Sequence, residues 1–309
     1  MLWYHLGWED AAGSPDAHIG KRLRPALCLL TCEAVGGDTA KALPLAAALE
    51  LVHNFSLVHD DIQDGDRKRH DRDTVWAVWG LPQAINAGDA LLSMAYLSLA
   101  ESLDAGLSAE AAVRAAGLLA ERTLEMVEGQ VMDIEFEDWR EVGLEEYVAM
   151  ISRKTGALFD ASLGLGALAG GASLAEVEAL GRCGRALGIA FQIRDDMLGV
   201  WGAEERTGKP AASDIRRRKK SLPAVYALTR ADTGEREELG RIYGRESVSG
   251  EDVERVLALM DALGAQAYCA GVAAEHRDAA LRELERSGVT GGRADELRET
   301  AAFLLERDY

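Results

Sequence analysis

The sequence predicts an all-α protein, and three observations support that class. Alanine, leucine, glutamate and arginine, which favour helices, are abundant, whereas the 309 residues include only 6 prolines. Apolar residues recur with the helical period from Lys21 onward, and no window shows the sustained alternation typical of a strand. No repeat, low-complexity tract or linker divides the chain, so we expect a single domain over residues 1–309.

The helices are assigned in order from their apolar spacing and from the residues that end them. Residues 1–20 are mixed in character and contain a turn at Gly13, Ser14 and Pro15, so no helix is expected there. Two of the longer helices are apolar and carry aspartates near their ends, and the longest interruption, 202–221, is charged. The predicted helices cover residues 21–35, 40–63, 82–103, 108–132, 143–151, 154–170, 174–201, 220–231, 251–285 and 292–307.

Composition and charge restrict the function. The net charge of −18 gives no reason to expect general affinity for nucleic acid or anionic lipid. Four cysteines do not form a disulfide framework at this length, and Cys28 and Cys32 are expected as small core residues. Because the chain shows neither a signal peptide nor an apolar run of about 18 residues, it is expected in the cytoplasm without stable membrane insertion.

Residues 49–66, LELVHNFSLVHDDIQDGD, form an apolar helix that ends in carboxylates. On a helix Asp60 and Asp64 lie about 40° apart with roughly 6 Å of rise between them, and Asp61 flanks them. Such acids repel one another, and Mg²⁺ bound together with phosphate oxygens would relieve the repulsion. The alternative is a solvated acidic helix end. The continuation of an apolar face by these acids favours a binding site.

A second apolar helix, residues 188–202, carries Asp195 and Asp196 in the middle of its pattern. Two carboxylates within an apolar run are costly unless other groups pair with them. If the two acidic helices face each other, their carboxylates form a cage around a metal-bound diphosphate.

A cluster of cations lies at the start of the first predicted helix. Lys21, Arg22 and Arg24 oppose the helix dipole at that position, which an anion bound at the helix start would explain. An exposed basic turn is the alternative, and the residues alone leave both open. His53, considered by itself, is more typical of a structural histidine.

Seven motifs taken together resemble those of the trans-isoprenyl diphosphate synthases, or polyprenyl synthetases, and the resemblance spans nearly the whole chain. One DDxxD motif would be a weak signal, but the ordered set is specific. The motifs are GKRLRP (20–25), ELVHNFSLVHDDIQD (50–64), INAGDALL (85–92), GQVMD (129–133), SRKTGALF (152–159), FQIRDD (191–196) and GKPAASDIRRRKKSLP (208–223).

The resemblance implies a fold and an assembly. It implies a single-domain orthogonal helical bundle of the isoprenoid synthase type around a deep central cavity, and a homodimer. Members of the family usually carry a further helix before the GKRLRP motif, so this chain is expected to be short at its start.

The resemblance also implies roles for individual residues. Metal ligation falls to Asp60, Asp61, Asp64, Asp133, Asp195 and Asp196. The isopentenyl diphosphate is held by Lys21, Arg24 and His53. Further diphosphate contacts fall to Arg69, His70, Lys154, Thr155, Gln192, Lys209 and Lys219. Catalysis depends most directly on Asp60, Asp61, Asp64, Lys154, Asp195 and Lys209.

The chain departs from the family pattern at three positions. His70 stands where a second arginine is usual and Asp73 where a proline is usual, which puts the second phosphate clamp in doubt. Arg72, Lys68 or a protonated His70 are the alternatives for that clamp. The second motif has Gly199 in place of its third acid, and Asp214 is expected to order the metal shell. Residues 216–220 form either a basic lid or a solubilising run.

The expected activity is head-to-tail condensation of isopentenyl diphosphate with an allylic diphosphate. Two or three Mg²⁺ ions, which Mn²⁺ could replace, support it. Phe55, five residues before Asp60, with the small Ser56 beside it, predicts a short product of C15 to C20, with C20 favoured. The alternatives are a class I terpene cyclase on the same fold, which the Lys21, Arg24 and His53 set argues against, and a non-catalytic subunit of a heteromeric prenyl synthase.

Overall fold

A computed structural model describes residues 1–15, 20–69, 72–138, 142–202 and 212–306, without the side chains of residues 137, 138, 301 and 303–306. His70 and Lys209 therefore lie outside the described residues. The all-α prediction is confirmed. In the described ranges the strands are β1 (Lys68–Arg69) and β2 (Arg72–Asp73), which form one antiparallel pair.

The helices follow one another with short connections. A π-helix, Ser152–Gly156, joins α7 to α8 without a break. The α-helices are α1 (Leu2–His5), α2 (Leu23–Ala34), α3 (Thr39–Gln63), α4 (Val75–Trp79), α5 (Leu81–Glu101), α6 (Ala109–Asp138), α7 (Leu144–Ile151), α8 (Ala157–Ala169), α9 (Leu174–Trp201), α10 (Ser213–Arg216), α11 (Leu222–Arg230), α12 (Thr233–Tyr243), α13 (Gly250–Ala262), α14 (Ala265–Arg286) and α15 (Gly292–Glu306).

The chain divides into two compact units. The first consists of Met1–Thr123, Ala161–Gly181 and Ser287–Leu297, and the second of Leu124–Asp160, Arg182–Arg286 and Arg298–Tyr309. The expectation of a single domain over residues 1–309 stays a prediction.

In the first unit, α3 packs against α2 and α5. Leu45, Leu49 and Val52 of α3 are buried, so the apolar part of the first acidic helix lies in the core as its pattern predicted. A Cβ atom on Gly166 of α8 would lie 2.1 Å from the Cys28 carbonyl oxygen, so the two backbones touch there. Cys28 is fully buried, in agreement with its predicted role as a small core residue.

In the second unit, the carboxyl-terminal half of α9 shares an apolar cluster with α7, α11 and α14. Ile193, Ile151, Leu222 and Cys269 are members of this cluster, and each is at most 2% exposed. The cluster fixes the helix that carries the second pair of aspartates.

Two helix predictions were wrong. The predicted helix over 251–285 is two helices that meet at Gly264, whose φ of +73° turns the chain, and α13 and α14 differ in direction by 62°. The prediction also omitted α12, which is too polar to show an apolar stripe. The start of α12 could be recognised in the sequence from the residues of a capping box, Asp232 and Glu235. In the structure, Asp232 accepts a hydrogen bond from the Glu235 N–H at 2.9 Å.

The short helices α1 and α4 and the β1–β2 pair were not predicted either. By length and composition alone, α3 could cross a membrane, as could the bent pair α13–α14 if it were counted as one span. Half of the apolar window of α3 is buried inside the protein, as is usual for a core helix.

Candidate active site

The carboxylates of the first motif lie at the end of α3 and share one arginine. The side chain of Asp61 is 2% exposed, and its Oδ1 accepts a hydrogen bond from Arg69 Nε at 2.8 Å. Arg69 also approaches Asp60 Oδ2 at 3.4 Å. Burial raises the pKa of Asp61 to about 6, although the Arg69 guanidinium opposes this shift. Arg69 therefore balances the charge of two of the predicted metal ligands.

Asp64 differs from these two acids because α3 stops just before it. It is exposed, and the positive φ of Gly65, +67°, turns the chain directly after it. The structure places Asp64 at the same helix end as Asp60, as the sequence predicted, with its side chain toward solvent.

Arg24 and His53 form a direct contact in the first unit. Arg24 NH1 lies 3.1 Å from His53 Nε2. Burial lowers the pKa of His53 well below the ordinary value, and the nearby Arg24, Arg69 and His5 charges lower it further. The neutral ring therefore accepts the Arg24 bond through Nε2, which assigns its proton to Nδ1. Lys21, three residues before Arg24 and ahead of the start of α2, is exposed.

The loop after the first motif is held by the N-terminal segment. The Arg72 guanidinium lies 4.2 Å above the Tyr4 ring and donates to the Glu9 carbonyl at 3.0 Å. The Tyr4 hydroxyl donates to the Asp73 carbonyl at 2.7 Å. These contacts argue against Arg72 as the substitute for the second clamp arginine, because its guanidinium already holds the N-terminal segment.

The two residues assigned to product length lie on different sides of α3. Phe55 is buried and meets the His59 ring edge to face, with the ring centroids 4.9 Å apart. The His59 ring needs Gly88 opposite, since a Cβ atom there would lie 2.3 Å from His59 Nε2. Ser56 donates to the His53 carbonyl at 2.7 Å and lies nearer the face of Asp60.

In the second unit, Lys154 and Thr155 lie in the π-helix rather than at the start of an α-helix. Lys154 Nζ contacts Asp133 Oδ2 at 2.5 Å. The helix α6 comes very close, because a Cβ atom on Gly129 would lie 2.2 Å from the Lys154 backbone nitrogen. The π-helix is rare and is often found at functional sites. Gly129, the first residue of GQVMD, is therefore required for the close approach.

The two adjacent aspartates of the second motif have different surroundings. Asp195 is exposed, whereas Asp196 is fully buried. Asp196 accepts hydrogen bonds from the Tyr147 hydroxyl, from Gln192 Nε2 at 3.1 Å and from the Leu222 N–H at 3.2 Å. Burial raises the pKa of Asp196 to about 6, while Lys219 and Tyr147 act to lower it. Asp195 is the better placed of the two to bind a metal ion directly.

The contacts of Asp196 continue to the π-helix and include one residue that the sequence analysis missed. Thr155 Oγ1 donates to Gln192 Oε1 at 2.8 Å, and Gln192 in turn donates to Asp196. The missed residue is Tyr147, seven residues before Lys154, whose hydroxyl donates to Asp196. Its spacing of two helical turns from Lys154 was the available signal, but a tyrosine in an apolar helix is usually a core residue.

Lys219 lies among carboxylates. Its Nζ is 3.9 Å from Asp196 Oδ1. Burial lowers its pKa, but four carboxylates outweigh that effect and raise the pKa above the ordinary lysine value. These belong to Asp133, Asp195, Asp196 and Asp214. A charged ammonium group thus stands beside most of the predicted ligands of this unit.

The carboxylates do not make a metal site by themselves. Among the described residues, no three His, Cys, Asp or Glu side chains converge as ligands. Mg²⁺ commonly takes one or two protein carboxylates and completes its shell with water and substrate phosphate. The hard oxygen donors Asp60, Asp61 and Asp195 are of the type that Mg²⁺ prefers.

Comparison with known proteins identifies the family. The model of the polyprenyl synthetase family matches residues 15–260. The (2E,6E)-farnesyl diphosphate synthase of Mycobacterium bovis is 40% identical over 311 residues, which cover 99% of this chain and 85% of that protein.

Solved structures of similar proteins support the same family. A polyprenyl synthetase from Streptomyces coelicolor A3(2) superposes with a TM-score of 0.90 at 38% identity, covering 98% of this chain and 90% of that one. A geranylgeranyl pyrophosphate synthase from Corynebacterium glutamicum, crystallised with isoprenyl diphosphate and magnesium, has a TM-score of 0.84 at 30% identity, covering 93% and 87%. The chain belongs to the polyprenyl synthetase family, whose members are trans-prenyltransferases with the all-α isoprenoid synthase fold.

Proposed function

We propose that this prenyltransferase condenses isopentenyl diphosphate head-to-tail with an allylic diphosphate to give an all-trans product of C15 to C20, with C20 favoured. The observation that carries the proposal is the Arg24–His53 contact beside the first aspartate motif. A cyclase ionises one diphosphate and needs no residues for a second one. A partly buried guanidinium bonded to a neutral imidazole is a site for such a second anion.

The residues of the chain divide the work between two substrates. Arg24 and Lys21 bind the diphosphate of isopentenyl diphosphate, and His53 offers its Nδ1–H as a neutral donor. In the second unit, Lys154 and Lys219 bind the allylic diphosphate and stabilise the negative charge that grows on it as its C–O bond breaks. Arg69 of the first unit is a further diphosphate contact. The double bond of isopentenyl diphosphate then attacks the allylic carbon and forms the new C–C bond. The resulting cation loses a proton to the departing diphosphate, which leaves a new double bond in the product. Apolar walls exclude the water that would trap the cation.

Two or three Mg²⁺ ions are proposed as the cofactor, with Asp60, Asp61 and Asp64 as ligands in the first unit and Asp195 as a ligand in the second unit. When bound, Mg²⁺ neutralises diphosphate charge and acts as a Lewis acid on the leaving group. Support comes from the carboxylate donor set and from the Corynebacterium enzyme, which was crystallised with magnesium. Asp133 and Asp196 are proposed to act without direct contact with the ions. Lys154 contacts the Asp133 carboxylate, and several neutral donors bond to the Asp196 carboxylate.

A homodimer is proposed for the assembly. One face of α6 presents Leu124, Val127, Val131 and Ile134, which are 41–61% exposed at spacings of three and four residues. This spacing is typical of a helix that packs against a partner helix. Light scattering of the wild type should give twice the mass of the chain. The variant Val131→Glu should give a monomer, and a dimer that persists would show that another face forms the interface.

The protein is further proposed to act in the cytoplasm without stable membrane insertion. All four cysteines are buried and unbridged, as is usual in a reducing compartment, and half of the apolar window of α3 is buried inside the protein.

The deciding experiment incubates the purified protein with Mg²⁺, labelled isopentenyl diphosphate and each allylic diphosphate from C5 to C15. Linear products of defined length are expected. Cyclic hydrocarbons formed without isopentenyl diphosphate would replace the proposal with a cyclase. Arg24→Gln should raise the KM for isopentenyl diphosphate more than the KM for the allylic substrate, because only the former contacts Arg24. Equal effects on both would contradict the assignment.

A further inference from the structure

The departure of the second motif at Gly199 has a structural counterpart in a later segment. A Cβ atom on Gly199 would lie 2.4 Å from both Cγ and Oδ2 of Asp214 and 2.7 Å from its Oδ1. Real Cβ contacts essentially never fall below 3.0 Å. The Asp214 carboxylate therefore fills the space that a side chain at position 199 would need.

Several contacts hold Asp214 in this position. On either side of it, Ala212 is 3% and Ile215 is 1% exposed, and both belong to one apolar cluster with Val200 of α9. Ala212 has a φ of +55°, a left-handed conformation that costs a non-glycine residue about 1 kcal/mol. A buried anchor and a strained backbone at one point show that the placement of Asp214 is built into the fold.

Position 199 is the right place for a further acid. It lies four residues after Asp195, so the two positions are about 40° apart on one face of α9. The Asp214 backbone carbonyl also accepts the Lys219 backbone N–H at 2.9 Å, so the two residues are held in one turn of the chain.

We propose that Asp214 supplies, from the segment after α9, the carboxylate that the second motif lacks at position 199, and that Gly199 is needed to leave room for it. The two positions form a pair in which one residue carries the acid and the other must be small. This inference rests on the proposed function, because it takes Asp195 to be a ligand of the Mg²⁺–diphosphate complex.

The test measures binding of inorganic pyrophosphate at increasing Mg²⁺ by calorimetry, beside steady-state condensation. Asp214→Ala should raise the half-saturating Mg²⁺ concentration by about tenfold or more, as for other residues that orient metal ligands. Gly199→Ala should have a similar effect, because its methyl group displaces the Asp214 carboxylate. The double variant, Gly199→Ala with Asp214→Ala, should need no more Mg²⁺ for half-saturation than either single variant. Gly199→Asp combined with Asp214→Ala should recover most of the affinity.

Gly271→Ala is the matched control, since Gly271 lies within α14 and its added methyl group would meet nothing within 4 Å. Circular dichroism establishes that each variant is folded. The pairing would be overturned if the effects of Gly199→Ala and Asp214→Ala on the half-saturating Mg²⁺ concentration multiplied in the double variant. It would also be overturned if the swap variant, Gly199→Asp with Asp214→Ala, folded but bound pyrophosphate no better than Asp214→Ala alone. If the swap variant does not fold, the comparison of the two single variants with the double variant decides. A wild type that binds pyrophosphate with this pattern but performs no condensation would refute the proposed function alone.

Discussion

The close approach of Gly129 to the π-helix makes Gly129→Ala a sharp test of how Lys154 is placed. The new Cβ atom would lie 2.2 Å from the Lys154 nitrogen, 2.7 Å from its Cα and 2.9 Å from the Arg153 carbonyl carbon. All three are backbone atoms, so no side chain can rotate away. Ordinary contact begins at 3.4 Å, and α6 and the π-helix must therefore separate by about 1.2 Å.

A displacement of that size moves the Lys154 ammonium relative to any bound diphosphate. Misplacement of a catalytic group by about 1 Å can reduce the rate about 100-fold, which corresponds to roughly 2.7 kcal/mol of lost transition-state stabilisation. Overpacking should also lower the free energy of unfolding by about 1–3 kcal/mol, which the better helix propensity of alanine offsets by up to about 1 kcal/mol. With the full gain in helix propensity the stability loss is about 0–2 kcal/mol, which is smaller than the loss of about 2.7 kcal/mol in transition-state stabilisation.

The assay is kcat/KM for condensation with labelled isopentenyl diphosphate, together with urea unfolding of the same preparations. Gly117→Ala is the matched control, because Gly117 lies on the same helix and an added Cβ atom would meet nothing within 4 Å. The control should keep the wild-type rate. If folded Gly129→Ala stays within threefold of the wild type, the close packing does not position Lys154 and the reasoning is refuted.

Three further predictions follow from single contacts. Tyr147→Phe removes one donor from the buried Asp196 carboxylate and should lower the free energy of unfolding in urea by about 1.5–3 kcal/mol. The control Tyr226→Phe loses only a 3.4 Å bond to a carbonyl, so its free energy of unfolding should fall clearly less. Equal losses in the two variants would contradict the role of the carboxylate. Phe55→Ala should lengthen the prenols released after phosphatase treatment, and an unchanged product length would remove Phe55 as the limit. Burial lowers the pKa of His5 to about 4, so the unfolded chain takes up its proton first as the pH falls below about 6.5. The wild type should therefore lose about 2 kcal/mol more than His5→Gln between pH 7 and pH 5, and parallel losses would show that His5 is not buried in the neutral form.

The fold was predictable where a helix has an apolar stripe and clear ends. The helices α3 and α9 have both, and their predicted bounds differ from the structure by about one residue. An apolar stripe does not predict the helices correctly in two physical situations. A polar helix such as α12 has no stripe, and two helices joined at one glycine, as α13 and α14 are at Gly264, keep a continuous apolar pattern through the bend. In both cases the local signal was a cap or a turn rather than periodicity.

The site residues were predictable as types and not as contacts. Neighbours in a sequence point about 100° apart on a helix, so Asp195 and Asp196 had to differ, but only the packing of α7 shows that Asp196 is the buried one. The role of Arg72 could not be deduced because its partners, Tyr4 and Glu9, are more than 60 residues away in the chain. Contacts of that kind depend on tertiary packing, which the helical period does not encode.

The π-helix between α7 and α8 carries a consequence for insertions and deletions. The run from Leu144 to Ala169 is helical throughout, and the widened turn at Ser152–Gly156 accommodates one residue more than an ordinary helix would. Deletion of a single residue there would restore an ordinary α-helix whose two halves keep their relative directions, whereas an ordinary α-helix of the present length would rotate one half of the run by about 100° against the other. The widened turn is therefore what lets Tyr147 and Lys154 serve the same cluster of acids at this chain length.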